Sequence, residues 1–153
     1  MRNTDIKILE LLDQNWTLLK QSLETLILSV DKVKSIGIKS KYSFEEMESF
    51  DSLTSKFNRT SDIFTQKVLR TTWVLLHEES MPFIDLANKA EKINLISSSD
   101  LIIEIRDIRN QIAHEYIPEA IQDLIPEVIK LSGDLADNID VAEKFLKNRK
   151  WIS

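Results

Sequence analysis

The chain has 153 residues, of which 42% are hydrophobic and 29% charged, which suits one folded domain over residues 1–153. Its formal net charge of −5 argues against a protein whose main task is to bind duplex nucleic acid, and the absence of cysteine excludes disulfides and thiolate metal sites. Two glycines and three prolines are too few for the turns of a β-sandwich or an α/β sheet, so the composition predicts an all-α protein.

No apolar run approaches the roughly 20 residues that a membrane span requires, and no signal peptide is recognisable. We therefore expect a cytoplasmic protein that does not contact a membrane.

Periodic hydrophobic residues in the first half of the chain predict two long helices. Apolar side chains recur at spacings of three and four over residues 4–36, and Thr4 is a suitable N-cap for that helix. Ser43 and Glu46 form a capping-box pattern, which predicts that a second long helix starts there and extends to about His77.

The second half predicts a short helix over residues 83–91 and a longer one over 101–116, which a serine-rich cluster precedes and a proline follows. A proline inside a helix costs about 3 kcal/mol, so Pro126 predicts a turn followed by a separate helix over 126–147. The basic residues 147–150 are expected to fray. Together these elements predict an up-and-down four-helix bundle with an additional short helix.

Most familiar catalytic and metal-binding patterns are missing. The chain has no glycine-rich phosphate loop, and its two histidines, His77 and His114, lack the preceding glutamates of a di-iron bundle. We therefore predict no metal site and no cofactor. The residues with the most chemical potential lie between Arg106 and Tyr116.

On a helical wheel, this stretch places Arg109 at the edge of an apolar arc, about 20° from Tyr116 and about 140° from His114. A guanidinium beside a core stripe is costly without a partner, so Arg109 is expected to have one or to border a cleft. The alternative is that Arg109 extends to solvent, His114 is a solvated residue and Tyr116 belongs to the core. The apolar arc consists of Leu101, Ile105, Ile108 and Ile112.

The sequence contains the pattern R-x4-H-x-Y: four residues separate Arg109 from His114, and one residue separates His114 from Tyr116. Asn110 directly follows the arginine. This arrangement resembles the signature of the HEPN family, and in particular of HepT-like proteins. Those proteins are partners of minimal nucleotidyltransferases (MNT) in toxin–antitoxin pairs. Residues 50–57 and 62–67 also resemble a HEPN subgroup named nucleotidyltransferase substrate-binding proteins. The resemblance covers roughly residues 43 to 117.

The resemblance implies a helical bundle that forms a homodimer, with two arginine–histidine motifs in a shared cleft, and several family members are metal-independent endoribonucleases. It implies that Arg109 and His114 are catalytic. Asn110, four residues before His114, is expected to bind RNA by orienting the scissile phosphate or to orient that histidine. The resemblance also implies that a partner MNT nucleotidyltransferase transfers an adenylyl group to Tyr116 and thereby silences the toxin.

Three interpretations remain open from the sequence. The chain is a HEPN ribonuclease toxin, or a nucleotidyltransferase-binding subunit without nuclease activity, or a structural bundle in which the motif is accidental. Asn110 has the alternative of being an ordinary exposed polar residue. Asp62, Gln66 and Arg70 form a polar stripe at a spacing of four, which either lines a cleft or is a solvated face.

Overall fold

The computed structural model describes residues 2–153, and this part of the chain consists of helices joined by short connections, without a β-strand. None of its helices is long and apolar enough to cross a membrane. In chain order the elements are α1 (Asn3–Ile36), α2 (Phe44–Asp62), a π-helical segment (Ile63–Leu69), α3 (Arg70–Leu75), α4 (Phe83–Lys92), α5 (Ser99–His114) and α6 (Pro118–Asn148).

The long helices form an up-and-down bundle. Helix α2, the π segment and α3 make one continuous rod that packs beside α1, and the rod also contacts α5 and α6. Residues 115–117 join α5 to α6, and so short a connection makes the two helices antiparallel neighbours. Helix α4 packs on α5 as the additional short helix. The predicted all-α, four-helix architecture is confirmed.

The core forms where the apolar stripes of these helices meet. Leu12, Leu19 and Leu26 lie two turns apart along α1 and are fully buried, as are Phe57 and Phe64 on the neighbouring rod. Full burial of such a side chain stabilises the fold by about 1.5–3 kcal/mol relative to an exposed position. The Ser43–Glu46 capping box forms as predicted and fixes where the second rod begins.

The π segment carries part of a row of buried residues that are spaced by four. Ser61, Thr65, Leu69 and Trp73 are all buried and succeed one another at intervals of four. In an α-helix of 3.6 residues per turn, such a row drifts by about 40° at each step. A π turn contains more residues and removes part of this drift, so the row keeps facing the core. The spacing of apolar residues predicted a regular α-helix here, and the π winding was not predicted.

The predicted break at Pro126 is wrong, because α6 runs without interruption from Pro118 to Asn148. Pro126 lies on the exposed side of the helix, so its ring faces solvent rather than the core. Ile125 and Val128 on either side of it are buried and continue the apolar stripe. The proline removes the N–H that would bond to the carbonyl of Gln122 and crowds that carbonyl, and packing on either side outweighs this cost.

Helix α5 ends at His114, two residues before the predicted end. Glu115 has an extended backbone (φ −92°, ψ 122°), and its carboxylate accepts the backbone N–H groups of Tyr116 and Ile117, each at 3.1 Å. Pro118 also disfavours a helical conformation at Ile117. Tyr116 consequently lies in the connection and outside the helix.

The C-terminal residues are ordered by a helix-ending motif, so the prediction of a frayed tail is wrong. Lys150 adopts a left-handed conformation (φ 58°), and the N–H of Trp151 bonds back to the carbonyl of Leu146 at 3.0 Å. This is a Schellman motif, and it lets Ile152 pack into the core. The same motif, with a residue other than glycine in the left-handed position, ends three helices at His77, Asn94 and Lys150.

We predict that Lys150→Gly raises the free energy of unfolding by about 1 kcal/mol, because glycine adopts the left-handed conformation without the steric cost that a side chain adds. The control is Lys144→Gly, at an exposed position inside α6. Because glycine is a poor helix former, this change should lower the free energy of unfolding by about 1 kcal/mol. Urea unfolding followed by circular dichroism measures both. A Lys150→Gly protein less stable than the parent would contradict the strain argument.

Candidate functional site

A cleft of about 360 Å³ opens between α5 and the junction of α2 with the π segment. We call it the arginine cleft. Its ionisable lining comprises three cations and one carboxylate, in a chain whose formal net charge is −5. This local positive charge makes the cleft a place where an anion can bind. The lining residues are Ser61, Asp62, Thr65, Gln66, Lys67, Arg106, Arg109 and Asn110.

Arg109 is held in the cleft by a bidentate ion pair with Asp62, the last residue of α2. The Nε atom of the arginine donates to Oδ1 of the aspartate, and Nη2 donates to Oδ2, both at 2.8 Å. Two parallel charge-assisted hydrogen bonds of this kind fix orientation as well as position. The hydrogen bonds to Asp62 raise the pKa of Arg109 against the opposing effect of its partial burial.

The ion pair uses only one edge of the guanidinium. Arginine has five N–H donors, and Asp62 occupies those of Nε and one of Nη2. The Nη1 group and the second N–H of Nη2 form the opposite edge, which makes no hydrogen bond to any of residues 2–153. A phosphate can bind this free edge with two further hydrogen bonds while Asp62 stays in place.

The wall opposite α5 is ordered by hydrogen bonds among its own side chains. Thr65 Oγ1 donates to the carbonyl of Ser61 at 2.8 Å, and Gln66 Nε2 donates to Thr65 Oγ1 at 3.4 Å. Arg70 Nε donates to Gln66 Oε1 at 3.2 Å but itself lines a different cavity. Of the polar stripe proposed from the sequence, Asp62 and Gln66 therefore line the cleft and Arg70 supports it from outside.

Two further cations add to the charge of the cleft without being neutralised. The guanidinium of Arg106 lies 4.7 Å from the ring centroid of Phe83 on α4, a cation–π contact that positions it. Neither Arg106 nor Lys67 forms an ion pair within the described part of the chain. Both charges remain available to an anionic ligand near Arg109.

The residues of the sequence motif are divided between two places. Asn110 lies in the arginine cleft beside Arg109, and its side chain forms no hydrogen bond with residues 2–153. His114 is exposed at the last position of α5 and does not line the cleft. It lies five positions after Arg109 along the helix, which corresponds to a rise of about 7.5 Å and a rotation of about 140°.

Tyr116 is 87% exposed in the connection between α5 and α6. It is therefore not a core residue, and its predicted position on the same wheel face as Arg109 does not apply because the helix ends two residues earlier. Its phenol is freely accessible from solvent.

The spacing of the motif identified Arg109 and Asn110 as candidate site residues. The position of Arg109 on the helical wheel predicted correctly that the arginine has a partner. That partner, Asp62, is 47 residues away, and no local pattern identifies it. The roles of Lys67 and Arg106 in the lining were missed altogether, since each looks like an ordinary exposed basic residue in the sequence.

A scan of the chain against protein-family models and a search against curated proteins both return no match. Within the described residues, no group of three or more His, Cys, Asp or Glu side chains is placed to hold a metal ion.

We predict that the ion pair between Asp62 and Arg109 couples α2 to α5 by about 1 kcal/mol. This value lies at the upper end for exposed pairs, because two hydrogen bonds form while solvent still screens side chains that are 31% and 42% exposed. A double-mutant cycle with Asp62→Asn and Arg109→Gln, read by urea unfolding, measures the coupling.

The control cycle uses Lys130→Gln and Asp134→Asn, which remove an exposed pair four residues apart on α6. Its coupling should not exceed about 0.5 kcal/mol. Strictly additive effects of Asp62→Asn and Arg109→Gln would show that the bidentate pair does not stabilise the fold.

Proposed function

We propose that this chain is a HEPN-type ribonuclease toxin that cleaves RNA without a metal ion. The observation that supports the proposal most is the state of Arg109. It is fixed by Asp62, presents a free edge suited to phosphate, and lies among the additional cations of the arginine cleft. The pattern of Arg109, His114 and Tyr116 is typical of HepT-like proteins. This resemblance is the basis for proposing RNA cleavage as the reaction and modification of Tyr116 as its control.

The proposed reaction uses the 2′-hydroxyl of the RNA as nucleophile. A base removes the hydroxyl proton while the 2′ oxygen attacks the neighbouring phosphorus, the bond to the 5′ oxygen breaks, and an acid protonates that leaving oxygen. Histidine suits both proton transfers because its ordinary pKa lies near neutrality. Arg109 binds the phosphate and stabilises the additional charge of the transition state, and Asn110 orients it.

The reaction requires a second copy of the chain. One subunit contributes a single motif histidine, and His114 lies outside the cleft that contains Arg109 of the same subunit. A symmetric homodimer would bring two arginines and two histidines to one RNA strand, so one imidazole can act as base and the other as acid. The exposed position of His114 at the end of α5 leaves it free to face the other subunit.

The proposed control is adenylylation of Tyr116 by an MNT-type nucleotidyltransferase. The phenol oxygen would attack the α-phosphorus of ATP, lose its proton and release pyrophosphate. The 87% exposure of Tyr116 supports this role, because a modifying enzyme must reach the hydroxyl. The added group brings bulk and a negative charge two residues from His114, where it would obstruct RNA and the assembly of the shared site.

A second function is favoured by the separation of His114 from the arginine cleft. If the dimer does not complete the site, the chain is a nucleotidyltransferase-binding subunit without nuclease activity. The net charge of −5 also favours this alternative, because it opposes non-specific binding to RNA.

We predict that the purified protein cleaves single-stranded RNA in the presence of EDTA, and that Arg109→Ala and His114→Ala each lower the rate by about 100-fold or more. The first variant loses the phosphate contact, and the second loses the proton transfers. Arg59→Ala and Gln111→Ala, at exposed positions outside the cleft, are the matched controls and should retain the parent rate.

Induction of the same set of variants in bacterial cells tests the toxin role. We expect the parent and both controls to arrest growth. Cells that express Arg109→Ala or His114→Ala to the same level should grow normally. Absence of both cleavage and growth arrest in the parent protein would favour the nuclease-inactive subunit.

We predict that Tyr116→Phe cleaves RNA at the parent rate but is no longer inactivated by a co-expressed MNT-type nucleotidyltransferase, because phenylalanine lacks the acceptor oxygen. Intact-mass spectrometry should find an added adenylyl group on the parent and none on the variant. Tyr42→Phe, which alters the only other tyrosine, should still be modified. An adenylylated Tyr116→Phe protein would show that another residue is the acceptor.

A further inference from the structure

A cavity of about 730 Å³ lies away from the arginine cleft. We call it the proline cavity. It is open to solvent on one side and is bordered by the end of α1, the connection to α2, and the first turns of α6, and its volume is typical of small-molecule sites. Its floor is apolar and consists of Val33, Phe50, Ile125 and Ile129.

One wall of the proline cavity is a row of hydrogen-bond acceptors on α6. Glu119, Gln122 and Asp123 all line the cavity, and positions three and four residues apart share a helix face. The two carboxylates form no ion pair with any of residues 2–153. The backbone carbonyl of Gln122 lacks its helical donor because residue 126 is proline, which also lines the cavity.

The charges around the cavity leave an excess of one negative charge. Lys39 is already engaged by Glu46, to which its ammonium donates a hydrogen bond. Lys34, the remaining cation in the lining, has no ion pair within the described residues and offsets only one of the two free carboxylates. A ligand with a single positive charge would balance the site.

The remaining side of the cavity is aromatic. Tyr42 and Phe50 pack edge to face with their ring centroids 4.8 Å apart, and the hydroxyl of Tyr42 accepts the backbone N–H of Lys39 at 3.2 Å. These contacts fix the Tyr42 ring beside the apolar floor. A ligand body of aromatic or aliphatic character can therefore pack there while its polar end faces α6.

We infer that the proline cavity binds a small molecule with a primary ammonium group and an apolar body. An ammonium carries three N–H donors, and the α6 wall offers three acceptors: the carboxylates of Glu119 and Asp123 and the carbonyl of Gln122. The apolar body lies on the floor formed by Phe50 and its neighbours. This site is independent of the proposed RNA cleavage, because none of its residues lines the arginine cleft.

The test is calorimetric titration of the full chain with phenethylammonium chloride and, separately, with the neutral analogue 2-phenylethanol. The two probes share the ring and the chain length, so the ammonium accounts for any difference between them. We expect the amine to bind at least about ten-fold more tightly than the alcohol. The combined change Glu119→Gln and Asp123→Asn should abolish this preference.

Pro126→Ala provides an independent variant that leaves every charge in place. Alanine restores the N–H that bonds to the Gln122 carbonyl and so occupies one acceptor, which should weaken amine binding by about three-fold or more. The combined change Asp137→Asn and Asp140→Asn removes the same two charges as the Glu119, Asp123 variant, from exposed positions of α6 outside the cavity, and should bind the amine as the parent does.

Circular dichroism of each variant establishes that it is folded before titration. Equal affinity of the parent for the amine and the alcohol would overturn the inference, as would unchanged amine binding in the Glu119→Gln, Asp123→Asn protein. RNA cleavage by the same preparations is measured in parallel. Loss of one activity without the other separates the failure of this inference from the failure of the proposed ribonuclease.

Discussion

The paired hydrogen bonds between Arg109 and Asp62 fix the orientation of the arginine where α5 packs against the rod formed by α2 and the π segment. The arginine borders the apolar face that buries Ile105 and Ile112, where an unpaired guanidinium would be costly. The carboxylate of Asp62 compensates that cost and holds the guanidinium in one orientation. The remaining N–H donors of Arg109 therefore form a fixed cationic surface. The direction of the free donors of Arg109 follows from this one contact.

Charge in this acidic chain is separated by location. The arginine cleft has an excess of cations, whereas in the proline cavity two free carboxylates face a single unpaired lysine, and the two sites share no lining residue. Net charge alone would therefore misrepresent both sites, since it averages over them. The cleft suits a phosphate group because the opposing carboxylate is already committed to Arg109 and leaves the other donors unopposed.

The periodicity of the apolar residues was sufficient to predict the helical architecture, because long amphipathic helices bury their apolar faces by packing side by side in a bundle. Two expectations based on local sequence failed where tertiary packing opposed them. Helix α6 continues through Pro126 because burial of the neighbouring residues outweighs the cost of the proline. At the end of α6, Lys150 and not a glycine adopts the left-handed conformation. Within the candidate site, the need for a partner at Arg109 was predictable from the wheel. The identity of that partner was not, since it depends on how α2 and α5 pack across 47 residues.

The π segment also determines where the chain can change length. Deleting one residue within α2 would rotate Asp62 by about 100° relative to the preceding part of the rod and separate it from Arg109. The wide turn at Ile63–Leu69 already contains more residues than an α-helical turn, so a single deletion there returns the rod to ordinary α-helical winding. Asp62 precedes that turn and keeps its register with α1. Loss of one exposed residue of this turn, Gln66 or Lys67, should therefore be tolerated, whereas loss of a residue before Ile63 should not.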